Sequence, residues 1–151
     1  MIKIELFREG ITLPYKGVTR QKLIKIATAA AQLLDLKNAS ITIIATDDAY
    51  MRDINRKYRR HDEPTDVISF SNRDNPFPEI DADKEEIGDL YISIERADRQ
   101  AREYRVSIDD EVKRLIVHGI LHLVGYDHER SDSDEEIMLR KEDELCGSID
   151  V

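Results

Sequence analysis

A buried helix that carries two histidines constrains the fold of this chain more than any other feature. Residues 112–125 read VKRLIVHGILHLVG and are apolar nearly all round, so this helix is predicted to lie in the core. His118 and His122 are four residues apart and therefore point about 40° apart on one helix face. Each buried imidazole without a partner would cost about 1–3 kcal/mol of desolvation free energy. The two histidines are therefore expected to have binding partners.

A third histidine, His128, follows the helix closely. Gly125 has the backbone freedom to turn the chain back after the helix and bring His128 toward His118 and His122. Three neutral imidazoles with an open fourth position form the catalytic zinc arrangement, whereas structural zinc sites have four protein ligands. We therefore predict that His118, His122 and His128 bind one Zn²⁺ per chain, and nickel or cobalt also accept such ligands. The alternative interpretation is core histidines satisfied by hydrogen bonds.

The spacing H-x-x-x-H-x-x-G-x-x-H also occurs in the metzincin metallopeptidases. In those enzymes the residue after the first histidine is a glutamate that acts as general base on the metal-bound water. Here that residue is Gly119, which cannot transfer a proton. The metal-binding pattern matches the peptidases and the catalytic base does not.

The pattern of apolar residues predicts an α+β domain. The 151 residues are typical of one compact domain, so we expect a single domain over residues 1–151. About four strands in a mixed sheet should pack with about five helices, with the metal site on a helix-turn segment. Helix caps are predicted at Thr19, at Asp109 and at Ser133, which forms a capping box with Glu136. We predict strands at residues 2–6, 40–46, 66–70 and 87–94, and helices at residues 18–36, from 46 or 47 to 58, 95–105, 109–124 and from 133 to just before Gly147.

Charge and cysteine content limit the functional class. The net charge of −9 argues against a nonspecific nucleic-acid binder, although a local basic groove remains compatible with it. Cys146 is the only cysteine, so no intrachain disulfide forms and a reducing compartment is expected. We expect no signal peptide, because MIKIELFREG has no long apolar run behind a basic leader, and no stretch approaches the eighteen or so apolar residues that cross a bilayer. We expect a cytoplasmic protein with no membrane partner.

Two further segments are candidates for function. Residues 71–86 read SNRDNPFPEIDADKEE, and a polar loop of this length in a small domain is more often functional than accidental. A basic stretch provides a local positive patch suited to RNA, or else a solvated helix face paired with nearby acids. This stretch consists of Arg52, Arg56, Lys57, Arg59 and Arg60.

Three blocks of the chain resemble the YbeY family of bacterial metal-dependent endoribonucleases. HGILHLVGYDH at residues 118–128 resembles the family's H-G-x-L-H-L-x-G-Y-D-H signature. YRRHDEPTDVISFS at residues 58–71 is similar to its Y/F-R-x-x-D-x-P-T-D-V-L-S-F segment, with Ile68 where leucine is usual. IGDLYISIERA at residues 87–97 is similar to its L-G-D-I-x-I strand. The resemblance covers essentially the whole chain.

The resemblance implies a zinc-dependent, single-strand-specific endoribonuclease. Such a protein acts in 3′ end maturation of small-subunit rRNA and in ribosome quality control, with single-stranded RNA, the ribosome or small subunit, and associated factors as partners. The family's metal ligands carry over onto His118, His122 and His128, and its functional arginine onto Arg59. We therefore assign catalysis to Arg59 and His118.

The chemistry leaves several alternatives open. Arg59 can place its planar guanidinium on a phosphate bidentately. The sequence identifies no general base; a zinc-bound hydroxide or the substrate's 2′-OH could take over its role. The sequence also does not choose between hydrolysis by water and transesterification through the 2′-OH. The rival functions are a metallopeptidase-like hydrolase and a non-enzymatic, ribosome-associated zinc protein.

Overall fold

The computed structural model describes residues 1–72, 85–126 and 131–151. The described residues form four strands and five helices, which confirms the predicted α+β class. In chain order these elements are β1 (Lys3–Glu9), α1 (Arg20–Leu33), β2 (Ala39–Thr46), α2 (Asp48–Arg59), β3 (Val67–Ser71), β4 (Glu85–Ser93), α3 (Ile94–Tyr104), α4 (Ile108–Leu123) and α5 (Asp132–Ser148).

The four strands form one mixed sheet in the order β1-β2-β4-β3. The pairs β1–β2 and β2–β4 are parallel, whereas β3 runs antiparallel to β4. The β-branched run of β2 lies in the middle of the sheet and is almost fully buried, as expected for a strand covered on both faces. β3 is therefore an edge strand, and it borders the site described below.

Helices cover both faces of the sheet. On one face α4 packs closely against β4, since Gly119 lies against the side chain of Leu90. On the other face α2 packs Met51 and Ile54 against aromatic residues of β3 and β4. α4 is buried nearly all round, which confirms the prediction that the histidine helix lies in the core. The sheet and α4 together hold the site in place.

The residues that cap the helices agree in part with those predicted from the sequence. The side chains of Thr19 and Asp47 cap α1 and α2 as predicted. The predicted caps Asp109 and Ser133 are wrong, because the residues that accept the capping hydrogen bonds are Ser107 in α4 and Ser131 in α5. Each helix thus begins one turn or less before the predicted position. α5 also continues through Gly147, where the sequence predicted its end.

The predicted loop at residues 71–86 lies largely outside the described residues. Its first residue, Ser71, belongs to β3, and its last two, Glu85 and Glu86, belong to β4. Residues 73–84 are not described. Within residues 1–72, 85–126 and 131–151, no helix combines the length and apolarity that crossing a bilayer requires.

Candidate functional site

Helix α4 brings His118 and His122 together. Their rings meet nearly edge to face, with centroids 4.7 Å apart and an interplanar angle of 74°. The two Nε2 atoms are 3.1 Å apart. The geometry follows from the four-residue spacing, because the neighbouring positions Gly119 and Leu123 face the sheet and turn the histidines to the side. The structure therefore places these two imidazoles next to each other on one face of α4.

A buried carboxylate on α5 orients His118. Glu142 is only 5% exposed, and its Oε1 accepts a hydrogen bond from Nδ1 of His118 at 2.7 Å. An ionised carboxylate only accepts hydrogen bonds, so the proton of a neutral His118 lies on Nδ1 and its Nε2 presents a lone pair. That lone pair points to the side where His122 Nε2 lies. Residues that bind metals through one ring nitrogen commonly use the other nitrogen in this way.

The sequence analysis did not find Glu142. A signal was present, because Met138, Glu142, Leu145 and Ile149 form the buried stripe at the end of the chain, and one of the four is a carboxylate. An acid at a core position of an otherwise apolar stripe needs a partner. No pattern in the sequence indicates that the partner of Glu142 is His118 on α4, 24 residues away.

The turn after α4 has the predicted geometry up to the limit of the described residues. Gly125 has φ of +106°, a conformation that favours glycine, and its N–H donates to the carbonyl of His122. Tyr126 donates to the carbonyl of Leu121 and continues the turn. The predicted third ligand, His128, lies outside the described residues.

Gly119, between the two histidines, has no space for a side chain. A Cβ built on it would lie 2.1 Å from Cδ1 of Leu90, which is itself fully buried. The carbonyl of Gly119 accepts a hydrogen bond from Oγ of Ser69 at 3.1 Å. The position where the metallopeptidases have their glutamate is therefore part of the contact between helix and sheet.

Edge strand β3 brings Arg59 to the same part of the molecule. Nη2 of Arg59, in the last turn of α2, donates to the carbonyl of Ser69 at 2.9 Å. The hydroxyl of the same Ser69 donates to Gly119, so one residue of β3 connects Arg59 with the histidine helix. The Arg59 guanidinium also lies 5.6 Å from the ring centroid of Phe70. Arg59 remains exposed to solvent, and its other N–H groups can reach a ligand.

Two titratable groups near the site have shifted pKa values. Burial raises the pKa of the Asp89 carboxyl. Gly88 and Leu90 face α4, so Asp89 between them points to the opposite face of the sheet, away from the histidines. Burial raises the pKa of the Cys146 thiol to about 11, and the nearby Glu142 carboxylate makes a smaller contribution in the same direction. This thiol therefore stays protonated near neutral pH. Neither group is placed to act as a base or ligand beside His118.

The two described histidines fit a transition-metal ion. Nitrogens bound to one tetrahedral zinc at about 2.0–2.1 Å lie about 3.3 Å apart, close to the 3.1 Å observed between the Nε2 atoms. The contact of His118 Nδ1 with the Glu142 carboxylate favours the tautomer that presents Nε2, as metal binding requires. Among the residues that the structure describes, no three His, Cys, Asp or Glu side chains form a metal-binding group. A complete ligand set therefore needs a residue outside them, and His128 is the predicted one.

Comparison with known proteins assigns the family. The family model for "Endoribonuclease YbeY" matches residues 13–150. The chain belongs to the YbeY endoribonuclease family. A YbeY endoribonuclease of Aquifex aeolicus is 43% identical over 126 residues, which are 83% of this chain and 81% of that protein. One of Treponema denticola is 45% identical over 112 residues, 74% of this chain and 72% of that protein.

The fold comparison agrees with the family. The solution structure of a Thermotoga maritima protein superimposes with a TM-score of 0.61 at 26% identity and covers 97% of this chain and 87% of that one. The resemblance of the three sequence blocks to YbeY proteins is thereby confirmed.

Proposed function

We propose that this YbeY-family chain is a zinc-dependent hydrolase that cleaves single-stranded RNA. The observation that carries the proposal is the pair of Nε2 atoms 3.1 Å apart, with His118 held by Glu142 at 2.7 Å. Membership of a family whose relatives are named endoribonucleases supports RNA as the substrate. The resemblance further supports a role in 3′ end maturation of small-subunit rRNA and in ribosome quality control.

His118, His122 and His128 are proposed to hold the metal ion. Zinc held by these histidines would supply Lewis-acid chemistry to a phosphoryl oxygen and to an attacking water. Glu142 accepts a hydrogen bond from Nδ1–H of His118 and so orients the ring with Nε2 toward His122. His128 is three residues after Gly125, whose positive φ ends α4 in a turn.

Arg59 is proposed to bind the phosphate next to the cleaved bond. One of its five N–H groups donates to the carbonyl of Ser69, which fixes the guanidinium beside the edge of the sheet. The remaining donors are suited to a bidentate contact with a phosphate, and they stabilise negative charge as it develops there. Because Ser69 also bonds to Gly119, the phosphate partner and the histidine helix share one rigid support.

The cellular setting follows from the same proposal. The proposed partners of this protein are single-stranded RNA and the ribosome or its small subunit with associated factors. Its proposed compartment is the cytoplasm. Residues 1–151 are proposed to act as one domain. Gly119 argues against a metallopeptidase, because it cannot transfer a proton and because a side chain there would require the buried Leu90 to shift.

The proposal is tested by cleavage of a labelled single-stranded RNA, with casein digestion run in parallel. Wild type should cleave the RNA and leave casein intact, and a metal assay of the purified protein should find one zinc per chain. Arg59→Ala should lower the cleavage rate about a hundredfold, as for loss of one charge-stabilising donor. Arg56→Ala is the matched control, since Arg56 lies on the same helix and pairs with Asp53.

Three results would contradict the proposal. Zinc-dependent digestion of casein without RNA cleavage would assign the chain to the peptidases. An Arg59→Ala variant as fast as wild type would remove Arg59 from the site. If His122→Ala unfolds the protein, as judged by circular dichroism, the metal is structural, because a catalytic site should lose activity and metal while keeping its fold. His122 is the residue to change, because loss of His118 would also remove the hydrogen-bond partner of the buried Glu142.

A further inference from the structure

Three aromatic side chains form a continuous row on the face of the sheet opposite α4. The rings of Tyr58 and Phe70 meet edge to face with centroids 5.4 Å apart, and those of Phe70 and Tyr91 do so at 5.7 Å. We call Tyr58, Phe70 and Tyr91 the aromatic row. Its inner end packs beneath α2 with Met51 and Ile54, and its outer end reaches solvent at Tyr58. The row is therefore anchored at one end and open at the other.

Tyr58 presents a large ring to solvent. It is 63% exposed, although it lies directly before Arg59 and contacts Phe70. A single exposed tyrosine needs no explanation by itself. Here the ring is supported by another ring and stands next to a guanidinium that the chain holds in place on Ser69. Rigid aromatic surface beside a fixed cation is the combination that binds unpaired nucleotides.

The cations beside the row differ in their pairing. In the described parts of the chain, Lys57 and Arg60 form no ion pair, so their charges are available to a ligand. The neighbouring arginines on α2 are neutralised by exposed acids. These pairs are Arg52 with Asp62 and Arg56 with Asp53. A local positive charge therefore flanks Tyr58 on a chain whose net charge is −9.

We propose that the aromatic row is a base-binding subsite for single-stranded RNA, in which an unpaired base stacks on Tyr58. The RNA phosphates then lie along Lys57, Arg59 and Arg60. Asp89 is paired in register with Phe70 and lies on the same face of the sheet as the aromatic row. Its carboxyl group disfavours phosphate on the Asp89 side of the row. This inference rests on the proposed function and specifies how a base is held next to Arg59, which Ser69 connects to the histidine helix. The preference for single strands follows, since a base within a duplex cannot offer its face.

The test compares two ligands that differ only in their bases. Binding of a short fluorescent oligoadenylate and of an abasic ribose-phosphate oligomer of the same length is measured by anisotropy, and a gel checks that both remain intact. Tyr58→Leu should weaken oligoadenylate binding about tenfold, or about 1.4 kcal/mol, as for loss of one stacked base. The same variant should bind the abasic oligomer as wild type does.

Two variants control for the side chain itself. Tyr58→Phe keeps the ring and should bind oligoadenylate as tightly as wild type. Tyr104→Leu removes a tyrosine of similar exposure, 54%, at the end of α3 and should have no effect. The subsite is refuted if Tyr58→Leu binds oligoadenylate like wild type, as it would if the row served a protein partner, or if it loses both ligands equally. Wild type that binds neither ligand would refute the proposed function together with the subsite.

Discussion

Gly119 lies between the two histidines on the side of α4 that faces the sheet. Any Cβ at this position meets Leu90, and the carbonyl of Gly119 is already bonded to Ser69. The sequence shows that a glutamate is missing there, and the structure shows that any side chain at position 119 would require the fully buried Leu90 to shift. The same close approach lets Ser69, and through it Arg59, come near the histidine helix.

Gly119→Ala should lower the free energy of unfolding by about 1–3 kcal/mol, because the added methyl overpacks a filled contact. Urea denaturation of the full chain measures this difference. Gly147→Ala is the matched control, since it also lies within a helix but nothing is within 4 Å of its Cβ position. The control should be neutral or slightly stabilising. Equal stability changes for the two variants would show that Leu90 does not limit position 119.

Helices and strands were predicted well where their patterns were long. The alternation of β1, the β-branched run of β2 and the helical period of α1 each depend on burial of one face, and burial is recorded in the sequence. Helix starts were predicted less well. Ser131 and Ser133 both stand three residues before an acid, so local chemistry permits either to cap α5. Which of the two serines caps α5 depends on where α5 packs against α4. A local sequence pattern carries no information about that contact.

Ser131→Ala should therefore destabilise the protein by about 1 kcal/mol, because its side chain accepts the hydrogen bond from the N–H of Asp134. Ser133→Ala changes a residue inside the first turn and should be neutral or slightly stabilising, since alanine has the higher helix propensity. Thermal or urea unfolding of both variants measures the order. The reverse order would place the start of α5 at Ser133.

The site depends on how the whole molecule folds back on itself. The histidine pair could be predicted, because both imidazoles belong to one helix and four-residue spacing defines their geometry. Glu142 could not be predicted as the partner of His118, because this contact joins α5 to α4 through tertiary packing. The link from Arg59 through Ser69 to Gly119 likewise requires α2, β3 and α4 in their final positions. Sequence periodicity shows which residues are buried and leaves open which of them meet.

The contact between α4 and α5 yields a prediction for metal binding. Glu142→Ala removes the acceptor that fixes the tautomer and ring angle of His118, so zinc affinity should fall about 10- to 100-fold. Titration calorimetry with zinc measures the affinity of the full chain. Glu142→Gln keeps a neutral acceptor at the same place and should recover part of the loss. Nitrogen chemical shifts of His118 should report Nδ1 protonation in wild type and a mixture of tautomers in Glu142→Ala.

Glu144→Ala is the matched control for this experiment. Glu144 lies on the same helix, but its side chain is 67% exposed and pairs only with Lys141 in the described part of the chain. Its loss should leave zinc affinity and the His118 tautomer unchanged. If Glu142→Ala lowers stability but keeps wild-type zinc affinity, the carboxylate serves only to pair α5 with α4. If affinity and tautomer change together and Glu142→Gln restores both in part, packing of the last helix determines how the histidines meet a metal ion.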